Sequence, residues 1–231
     1  PRSDQNGRPR TLEYASTRSM TELQPPLVTD ITVSFNHADY VAESLRSVIA
    51  QDYEAIEYVV IDDGSTDSSA QIIESFRDIC ARRFRHFVFV QQLNAGSVAT
   101  LNRALSLAGG EYLFFLASDD VAESHAISRL VDVLKSDPNT SLVAPDNSLI
   151  DATGRPCSWT SDRRATYESK SAASSSFDDY LRKTTAPYDF DGDWFGSYEA
   201  LIQGNHVPNG TLVRRSAIEK VGRFSSAAPL E

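Results

Sequence analysis

The sequence predicts an α/β fold in which a mostly parallel sheet is covered by helices on both faces. Three observations lead to this prediction. Hydrophobic residues make up 41% of the 231 residues, which is enough to bury a sizeable core. From Leu27 onward, short β-type runs alternate with stretches whose apolar residues recur at helical spacing. The β-type runs are nearly continuous in apolar residues, as expected for strands buried on both faces.

The apolar pattern places each element in order. Strands are predicted over residues 28–35, 56–61, 87–90, 112–116 and 141–144. Helices are predicted around residues 41–49, 72–80, 98–108 and 127–134. Asp137-Pro138 ends the last helix, Asp30 interrupts the first apolar strand, and Cys80 falls on the apolar face of the second helix. The pattern therefore predicts a βαβ series with right-handed crossovers.

Three segments differ in composition. Residues 1–26 are polar, end in Pro25-Pro26 and are predicted to be a disordered tail or linker, with a short helix as the alternative. Residues 27–150 carry the alternation and form the first half of the fold. In residues 151–231 the alternation fades, a loop is predicted over residues 151–176, and aromatic residues become dense. Those aromatics could stack on sugar rings or simply pack in a core.

Charge and cysteine usage restrict the class of protein. The formal net charge of −10 argues against a nucleic-acid partner, because such proteins usually carry a basic face. It does not argue against a nucleotide, since a divalent cation can bridge two anions. No run of about 18 apolar residues predicts a membrane span, and the N-terminus lacks a signal-peptide core. Cys80 and Cys157 do not form a disulfide framework, so a cytoplasmic location is expected, with docking on the inner face of a membrane left open.

Polar residues follow the predicted strands. In parallel sheets the ligand binds beyond the carboxyl ends of the strands, so these residues are the candidate site. They are Ser34-Phe35-Asn36-His37, Asp62-Asp63-Gly64-Ser65-Thr66-Asp67, Asn94-Ala95-Gly96 and Ser118-Asp119-Asp120. Several acids at one edge would repel one another without a cation or hydrogen-bond donors. The sequence therefore predicts a divalent metal or a donor-rich ligand at this edge.

The order and spacing of three strings also point to a known family. The strings are Val60-Ile61-Asp62-Asp63-Gly64-Ser65-Thr66-Asp67, Asn94-Ala95-Gly96, and the run from Asn102 through Gly110-Glu111-Tyr112 to Ser118-Asp119-Asp120. Together they resemble the family 2 glycosyltransferases of the GT-A fold, over roughly residues 27–231. The resemblance implies a Rossmann-like sheet, a nucleotide-sugar donor, and inverting transfer assisted by Mn²⁺ or Mg²⁺.

By this resemblance Asp63 reads the nucleobase and Asp62 supports its loop. Ser34, Phe35 and Asn36 would lie against the base, with Phe35 either stacking on it or packing in the core. Asn36 and His37 could alternatively cap the following helix, as Thr66 or Asp67 could cap the next one. Asn94 and Gly96 would approach the nucleotide, with a helix N-terminus behind them. Arg103 would reach the diphosphate or stay solvated.

Ser118, Asp119 and Asp120 correspond to the family's Asp-x-Asp motif, which holds a divalent cation against the donor diphosphate. The first acid of that motif is Ala117 here, so metal binding would depend on Asp119 and Asp120, with Ser118 near the nucleotide. Oxygen ligands suit Mg²⁺ and Mn²⁺. The alternative is that Asp119 or Asp120 caps a helix over residues 121–135.

Near the end of the chain, Glu231 matches the Glu of the family's catalytic Glu-Asp pair, and the Asp that would act as base does not follow. The expectation is a fragment cut before its general base. His206 could face the acceptor or be an ordinary loop residue.

The function predicted from the sequence is hexosyl transfer to a glycan, lipid or protein hydroxyl, as in polysaccharide biosynthesis. The donor would be a UDP-, dTDP- or GDP-linked sugar. The alternatives are a non-catalytic nucleotide-sugar-binding module and a sugar nucleotidyltransferase. A nucleotidyltransferase usually needs a Gly-rich phosphate loop early in the chain, and the sequence shows none near residues 27–40. A dehydrogenase is disfavoured because no GxGxxG follows the first strand.

Overall fold

A computed structural model describes residues 24–167, 173–184 and 207–225. The strands within these ranges are β1 (Val28–Ser34), β2 (Ile56–Asp62), β3 (His86–Gln91), β4 (Tyr112–Phe115), β5 (Leu142–Val143), β6 (Ser158–Trp159), β7 (Ala165–Thr166) and β8 (Thr211–Arg214). The helices are α1 (Val41–Ile49), α2 (Ser69–Ser75), α3 (Arg77–Arg83), α4 (Ser97–Leu107), α5 (Ala126–Ser136), α6 (Phe177–Thr184) and α7 (Arg215–Val221).

The main sheet has six strands in the order β3-β2-β1-β4-β8-β5. Strands β1 to β4 are parallel to their neighbours among themselves, while β8 pairs antiparallel with both β4 and β5. The predicted mostly parallel α/β sheet is therefore confirmed. The pairing of β8 between β4 and β5 was not predicted, because four residues carry too short a pattern to fix a partner.

Helices cover both faces of the sheet, as predicted. On one face α1, α2, α3 and α5 contribute to a cluster that includes Leu45, Ile73, Cys80 and Ile127. On the other face Ala104 of α4 packs with the alternate residues of β1 and β2, and Ile218 of α7 packs against the same cluster. Burying apolar surface on both faces is the main favourable contribution to such a fold.

Two local predictions and one alternative differ from the structure. The single helix expected around residues 72–80 is two short helices that meet at Phe76. Helix α5 begins at Ala126, in agreement with the helix predicted around residues 127–134 and not with the capping alternative, which began it at residue 121. The loop expected over residues 151–176 contains the antiparallel pair β6–β7, which its polar composition concealed. Most of the predicted tail, residues 1–23, lies outside the described residues.

One acid is buried in the middle of β1. Asp30 is fully buried, and among the described atoms its Oδ2 has no hydrogen-bond partner. Thr32 Oγ1 donates to its other oxygen at 3.4 Å. Burial raises the pKa of Asp30 well above its ordinary value, and the Thr32 hydrogen bond offsets only part of this. Burial therefore favours the neutral form of this side chain relative to an exposed aspartate.

A second acid lies at the amino-terminal edge of the sheet. The Glu57 carboxylate accepts hydrogen bonds from Thr29 Oγ1 at 2.8 Å and from the Gly109 amide at 2.6 Å. His86 Nδ1 lies 3.4 Å from its other oxygen. Gly110 packs so tightly here that an added Cβ would lie 2.5 Å from the Thr29 amide nitrogen. This network ties β1, β2, β3 and the turn before β4 together.

No helix within the described ranges is both long enough and apolar enough to cross a lipid bilayer.

Candidate functional site

The parallel strands bring three separate loops to one edge. Ser34 at the end of β1 pairs in register with Asp62 at the end of β2. Asp119 follows β4, the strand on the other side of β1. Since carboxyl ends of parallel strands meet at one edge, residues more than 80 positions apart in the chain become neighbours. The predicted convergence of the Asp63 and Asp119 loops is what the topology produces.

Hydrogen bonds from the β1 loop join the other two loops. The Asn36 amide N–H donates to Ser65 Oγ at 2.9 Å, and the Thr66 N–H donates to Asn36 Oδ1 at 2.8 Å. On the other side, His37 Nδ1 lies 2.7 Å from Ser118 Oγ. Asn36 holds a positive φ of 54°, a conformation that Asn tolerates better than most residues. The interpretation of Asn36 and His37 as side-chain caps of α1 is wrong, because Tyr40 occupies that position without a side-chain cap.

Asp63 clamps the loop after β3. Its Oδ1 accepts from Gln92 Nε2 at 2.7 Å and the Ala95 N–H at 2.9 Å, and its Oδ2 accepts from the Gly96 N–H at 2.9 Å. Burial raises the pKa of Asp63, but hydrogen bonds from Gln92, Ala95, Thr100 and Gly96 outweigh it and hold the pKa below its ordinary value. With these four donors the carboxylate has about as many hydrogen bonds as it can accept, and Asp63 is 3% exposed.

Gly64 allows the two loops to approach each other. It has a φ of +77°, and an added Cβ would lie 2.6 Å from the Asn94 backbone nitrogen. Asn94 and Gly96 are exposed on the loop that Gly64 contacts, and Gly96 also has a positive φ. The glycine therefore fixes how Asn94 is presented at the edge.

The predicted nucleotide-binding residues divide into buried and exposed groups. Asp62 is fully buried, and its oxygens accept from the N–H and hydroxyl of Ser65. Ser34 and Ser118 are also fully buried, and Ser34 Oγ has no partner among the described atoms. Phe35 is 44% exposed and does not belong to either core cluster. Its ring is therefore available at the surface of the edge.

Asp119 is the open acid of the site. Its side chain is 47% exposed, and His37 Nδ1 lies 3.9 Å from Oδ1. That distance is too long for a hydrogen bond. Asp119 is therefore not closed in an ion pair and can accept a ligand from solvent.

Asp120 is less exposed and has a protein partner. Asn209 Nδ2, on the loop before β8, donates to Asp120 Oδ2 at 2.8 Å. Burial and then the charge of Asp119 raise the pKa of Asp120, while the Asn209 hydrogen bond and His37 act in the opposite direction. Capping of a helix by Asp119 or Asp120 is wrong, because α5 begins at Ala126 with His125 before it.

Two further predictions are resolved by contacts. Asp67 Oδ1 accepts from the Ser69 N–H at the start of α2, so Asp67 holds that helix terminus as the turn interpretation expected. Asp67 Oδ2 also accepts from the Ala38 N–H. Arg103 donates to Gln92 Oε1 at 2.6 Å. Arg103 is therefore engaged with the Asp63 clamp.

The acids present fit a cation that is shared with a ligand. Within the described ranges, no three His, Cys, Asp or Glu side chains converge as a complete metal site. The Asp119 carboxylate is open, and Asp120 has a hydrogen bond on only one described oxygen. Mg²⁺ is commonly held by one or two carboxylates together with substrate phosphates. The donor set therefore suits a metal that arrives with a phosphorylated ligand.

Part of the predicted site cannot be placed. Glu231, His206 and the aromatic residues between 188 and 198 lie outside the described residues. Of the aromatics that are described, Trp159 packs edge-on against Tyr180 at 5.7 Å between ring centroids. Tyr167 is exposed and hydrogen-bonds to Asp151.

Sequence reasoning missed Gln92 and Asn209. Gln92 follows β3 directly, so its position at a strand end was a usable signal. Asn209 reaches Asp120 from 89 residues away. Its place depends on the unpredicted pairing of β8.

Comparison with known proteins gives a consistent result. The sequence model described as Glycosyl transferase family 2 matches residues 31–201. TuaG of Bacillus subtilis strain 168, a glycosyltransferase named for teichuronic acid biosynthesis, is 32% identical over 132 residues. That alignment covers 54% of this chain and 51% of TuaG, so the chain spans about half of that relative's length.

Two solved structures share the fold. The mannosyltransferase PcManGT from Pyrobaculum calidifontis, solved with GDP-Man and Mn²⁺, is similar with a TM-score of 0.58 and 18% identity. The similarity covers 88% of this chain and 48% of PcManGT. S. aureus TarS 1-349, solved with UDP, gives a TM-score of 0.51 and 19% identity over 84% of this chain and 48% of that one.

Proposed function

The chain belongs to glycosyl transferase family 2, and from this premise we propose that it binds a nucleotide-sugar at the carboxyl edge of its sheet and transfers the sugar to an acceptor hydroxyl. The acceptor is a glycan, lipid or protein, and a divalent cation, Mn²⁺ or Mg²⁺, assists. The sheet is that of the GT-A fold, with its four parallel strands ending at this edge.

One observation carries the proposal. Asp63 and Asp119 reach the same edge from β2 and β4, with the β1 loop hydrogen-bonded to the loops of both. Asp63 holds the loop that carries Ala95 and Gly96 at this edge, and Asp119 is open to solvent. The separation of the two acids along one edge suits a ligand with a base at one end and a diphosphate at the other.

The β1–β3 side of the edge suits the nucleoside. Phe35 offers an exposed ring for stacking, and Asp63 is the acid proposed to accept the imide N–H of uracil or thymine, or the N–H edge of guanine, in place of one of its loop donors. UDP-, dTDP- and GDP-linked sugars are therefore the donors to test. PcManGT and TarS, which share the fold, were solved with GDP-Man and UDP.

The β4 side suits the diphosphate. Asp119 and Asp120 would hold Mn²⁺ or Mg²⁺, and such an ion neutralises charge on a leaving nucleoside diphosphate. Inverting transfer needs a carboxylate to deprotonate the acceptor hydroxyl as it attacks the anomeric carbon. The Glu231 matched to the family's Glu-Asp pair lies outside the described residues.

A second candidate is a non-catalytic nucleotide-sugar-binding module. Ala117 stands where the family's motif has its first acid, which favours this candidate. A transfer assay separates the two functions, since the module would bind the donor without consuming it.

The test of the proposal is a thermal-shift screen of UDP-, dTDP- and GDP-sugars with and without Mn²⁺. One nucleotide class should raise Tm in the presence of Mn²⁺, because a ligand that binds only the native state stabilises it by mass action. The free energy of unfolding should rise by about 2.7 kcal/mol at a free ligand concentration of 100 Kd. A Tm that none of the donors changes, or that changes equally without metal, contradicts the proposal.

A further inference from the structure

We propose that Asn209 is a positioning residue for the metal-binding acids, contributed to the donor site by the loop before β8. The inference rests on the proposed function, because it concerns the same site. Its basis is the contact between Asn209 Nδ2 and Asp120 Oδ2 at 2.8 Å, across 89 residues of chain.

Two hydrogen bonds hold the peptide group that joins Asn209 to Gly210. The Gly210 N–H donates to the Phe115 carbonyl at 2.8 Å, which attaches this loop to the end of β4 just before the acids. Asn147 Nδ2 donates to the Asn209 carbonyl at 3.0 Å. Gly210 has a φ of +78°, and the space beside it is bounded by Pro145 and Phe114. The Asn209 side chain therefore projects from a well-supported turn.

The chemistry of the contact fits an acid that must stay in one orientation. A carboxylate can only accept, so the amide must present its N–H₂ group to Asp120. Among the described side chains, Asn209 is the one that donates a hydrogen bond to either of the two adjacent acids, Asp119 and Asp120. The contact takes up Oδ2 of Asp120, and no described protein group donates to Oδ1. Asn209 thereby sets which oxygen of Asp120 remains for a cation.

The contact also joins the two halves of the chain. Asn147 and Asn209 both belong to the region around β5 and β8, and the Asn147 carbonyl accepts from the Phe177 N–H at the start of α6. Asp120 belongs to the loop after β4. The hydrogen bond from Asn209 therefore links the position of the loop before β8 to the position of Asp120. Partners of this kind typically change metal affinity or activity about 10–100-fold when removed.

The experiment is a calorimetric titration of the full 231-residue chain and its variants with Mn²⁺. It is done in the presence of UDP or GDP, whichever the wild-type protein binds. Asn209→Ala removes the donor, and Asn209→Ser leaves a hydroxyl too short to reach Asp120. Asn139→Ala is the matched control, because Asn139 is exposed between α5 and β5 at the opposite edge. Metal-free binding of the corresponding nucleoside is measured in parallel.

Both Asn209 variants should bind Mn²⁺ about 10–100-fold more weakly, with nucleoside affinity and Tm unchanged. The Asn139 control should match the wild type. Equal Mn²⁺ affinity in wild type and variants overturns the inference, as does a parallel loss of nucleoside binding, which marks a structural role. If nucleotide binding to the wild-type protein does not depend on Mn²⁺, the proposed function is overturned instead. The failure of the Asn209 inference and the failure of the proposed function are therefore distinguishable.

Discussion

The two edges of the main sheet both hold acids at the ends of parallel strands, yet they differ in how those acids are satisfied. At the amino-terminal edge, Glu57 accepts from Thr29 and Gly109, contacts His86 and is 6% exposed. At the carboxyl edge, Asp119 is 47% exposed and has no hydrogen bond from the described residues. Residue type alone does not mark a binding site. An acid whose oxygens lack protein donors does mark one. A carboxylate whose acceptor positions are already filled by protein groups has no position left for a ligand.

The glycines of the two edges repeat the contrast. An added Cβ at Gly110 would lie 2.5 Å from Thr29 N, and one at Gly64 would lie 2.6 Å from Asn94 N. Gly110 lets the turn before β4 pack against β1, so it serves the fold. Gly64 lets the β2 loop approach an exposed loop beside Asp63, so it serves the presentation of the site.

The largest effect should come from the open acid. Asp119→Ala should lower Mn²⁺-dependent affinity for the nucleotide-sugar by more than about 100-fold, since removing even an outer partner of a metal costs 10–100-fold. Calorimetry with and without metal measures it. Glu57→Ala is the comparison variant, and its folded fraction should bind as the wild type does. Unchanged metal-dependent affinity in Asp119→Ala would show that the open acid at the carboxyl edge matters no more for binding than the hydrogen-bonded Glu57 at the opposite edge.

The closed acid should instead affect stability. Glu57→Ala leaves the Gly109 N–H and the Thr29 hydroxyl without their acceptor in a buried setting. Each buried group left unpaired costs about 1–3 kcal/mol, so the free energy of unfolding should fall by about 3 kcal/mol. Urea denaturation measures it, with Asp119→Ala expected to change stability little. A Glu57 variant as stable as the wild type would show that this edge is not held by its network.

A smaller effect is expected at Asp63, which has features of both edges. Asp63→Ala removes the acceptor for the base and also the clamp on the loop that carries Asn94. The affinity for the preferred nucleotide should fall by about 2 kcal/mol. Binding of UDP, dTDP and GDP to the variant, each compared with the wild type, checks this. A loss that is equal for all three bases would contradict base reading by Asp63 and leave only the clamp.

The smallest effect is expected at Gln92, which touches the site only through Asp63. Gln92→Leu removes one of the four hydrogen bonds to that carboxylate and the acceptor for Arg103. A single hydrogen bond contributes about 1 kcal/mol net, so nucleotide affinity should fall about fivefold. Gln91→Leu, one residue earlier and exposed, is the control. A larger loss of nucleotide affinity in the Gln91 variant than in the Gln92 variant would show that Gln92 does not support nucleotide binding through Asp63.

The sequence was sufficient for the parts of the molecule that depend on local pattern. The alternation from Leu27 predicted the parallel strands, and parallel strands alone require the residues after β1, β2 and β4 to share an edge. Cys80 was predicted to be buried from its place on a helical face, and it is fully buried. Family membership followed from strings between residues 60 and 120, which lie within the residues that the family model matches.

The rest depended on contacts without a local pattern. The pairing of β8 between β4 and β5 brings Asn209 to Asp120, and no periodicity near residue 209 indicates it. The capping alternative started α5 at residue 121 because Asp119 and Asp120 are good capping residues, a preference that does not operate when the helix begins at Ala126. The saturation of Asp63 by Gln92, Ala95 and Gly96 likewise requires the fold of two loops.

The most direct test is a crystal structure of the chain with Mn²⁺ and the nucleoside diphosphate that stabilises it most. The base should lie between the Phe35 ring and Asp63, and the Asp119 carboxylate should coordinate the metal that contacts the diphosphate. A nucleotide bound at another surface, or a metal held without Asp119, would contradict the account.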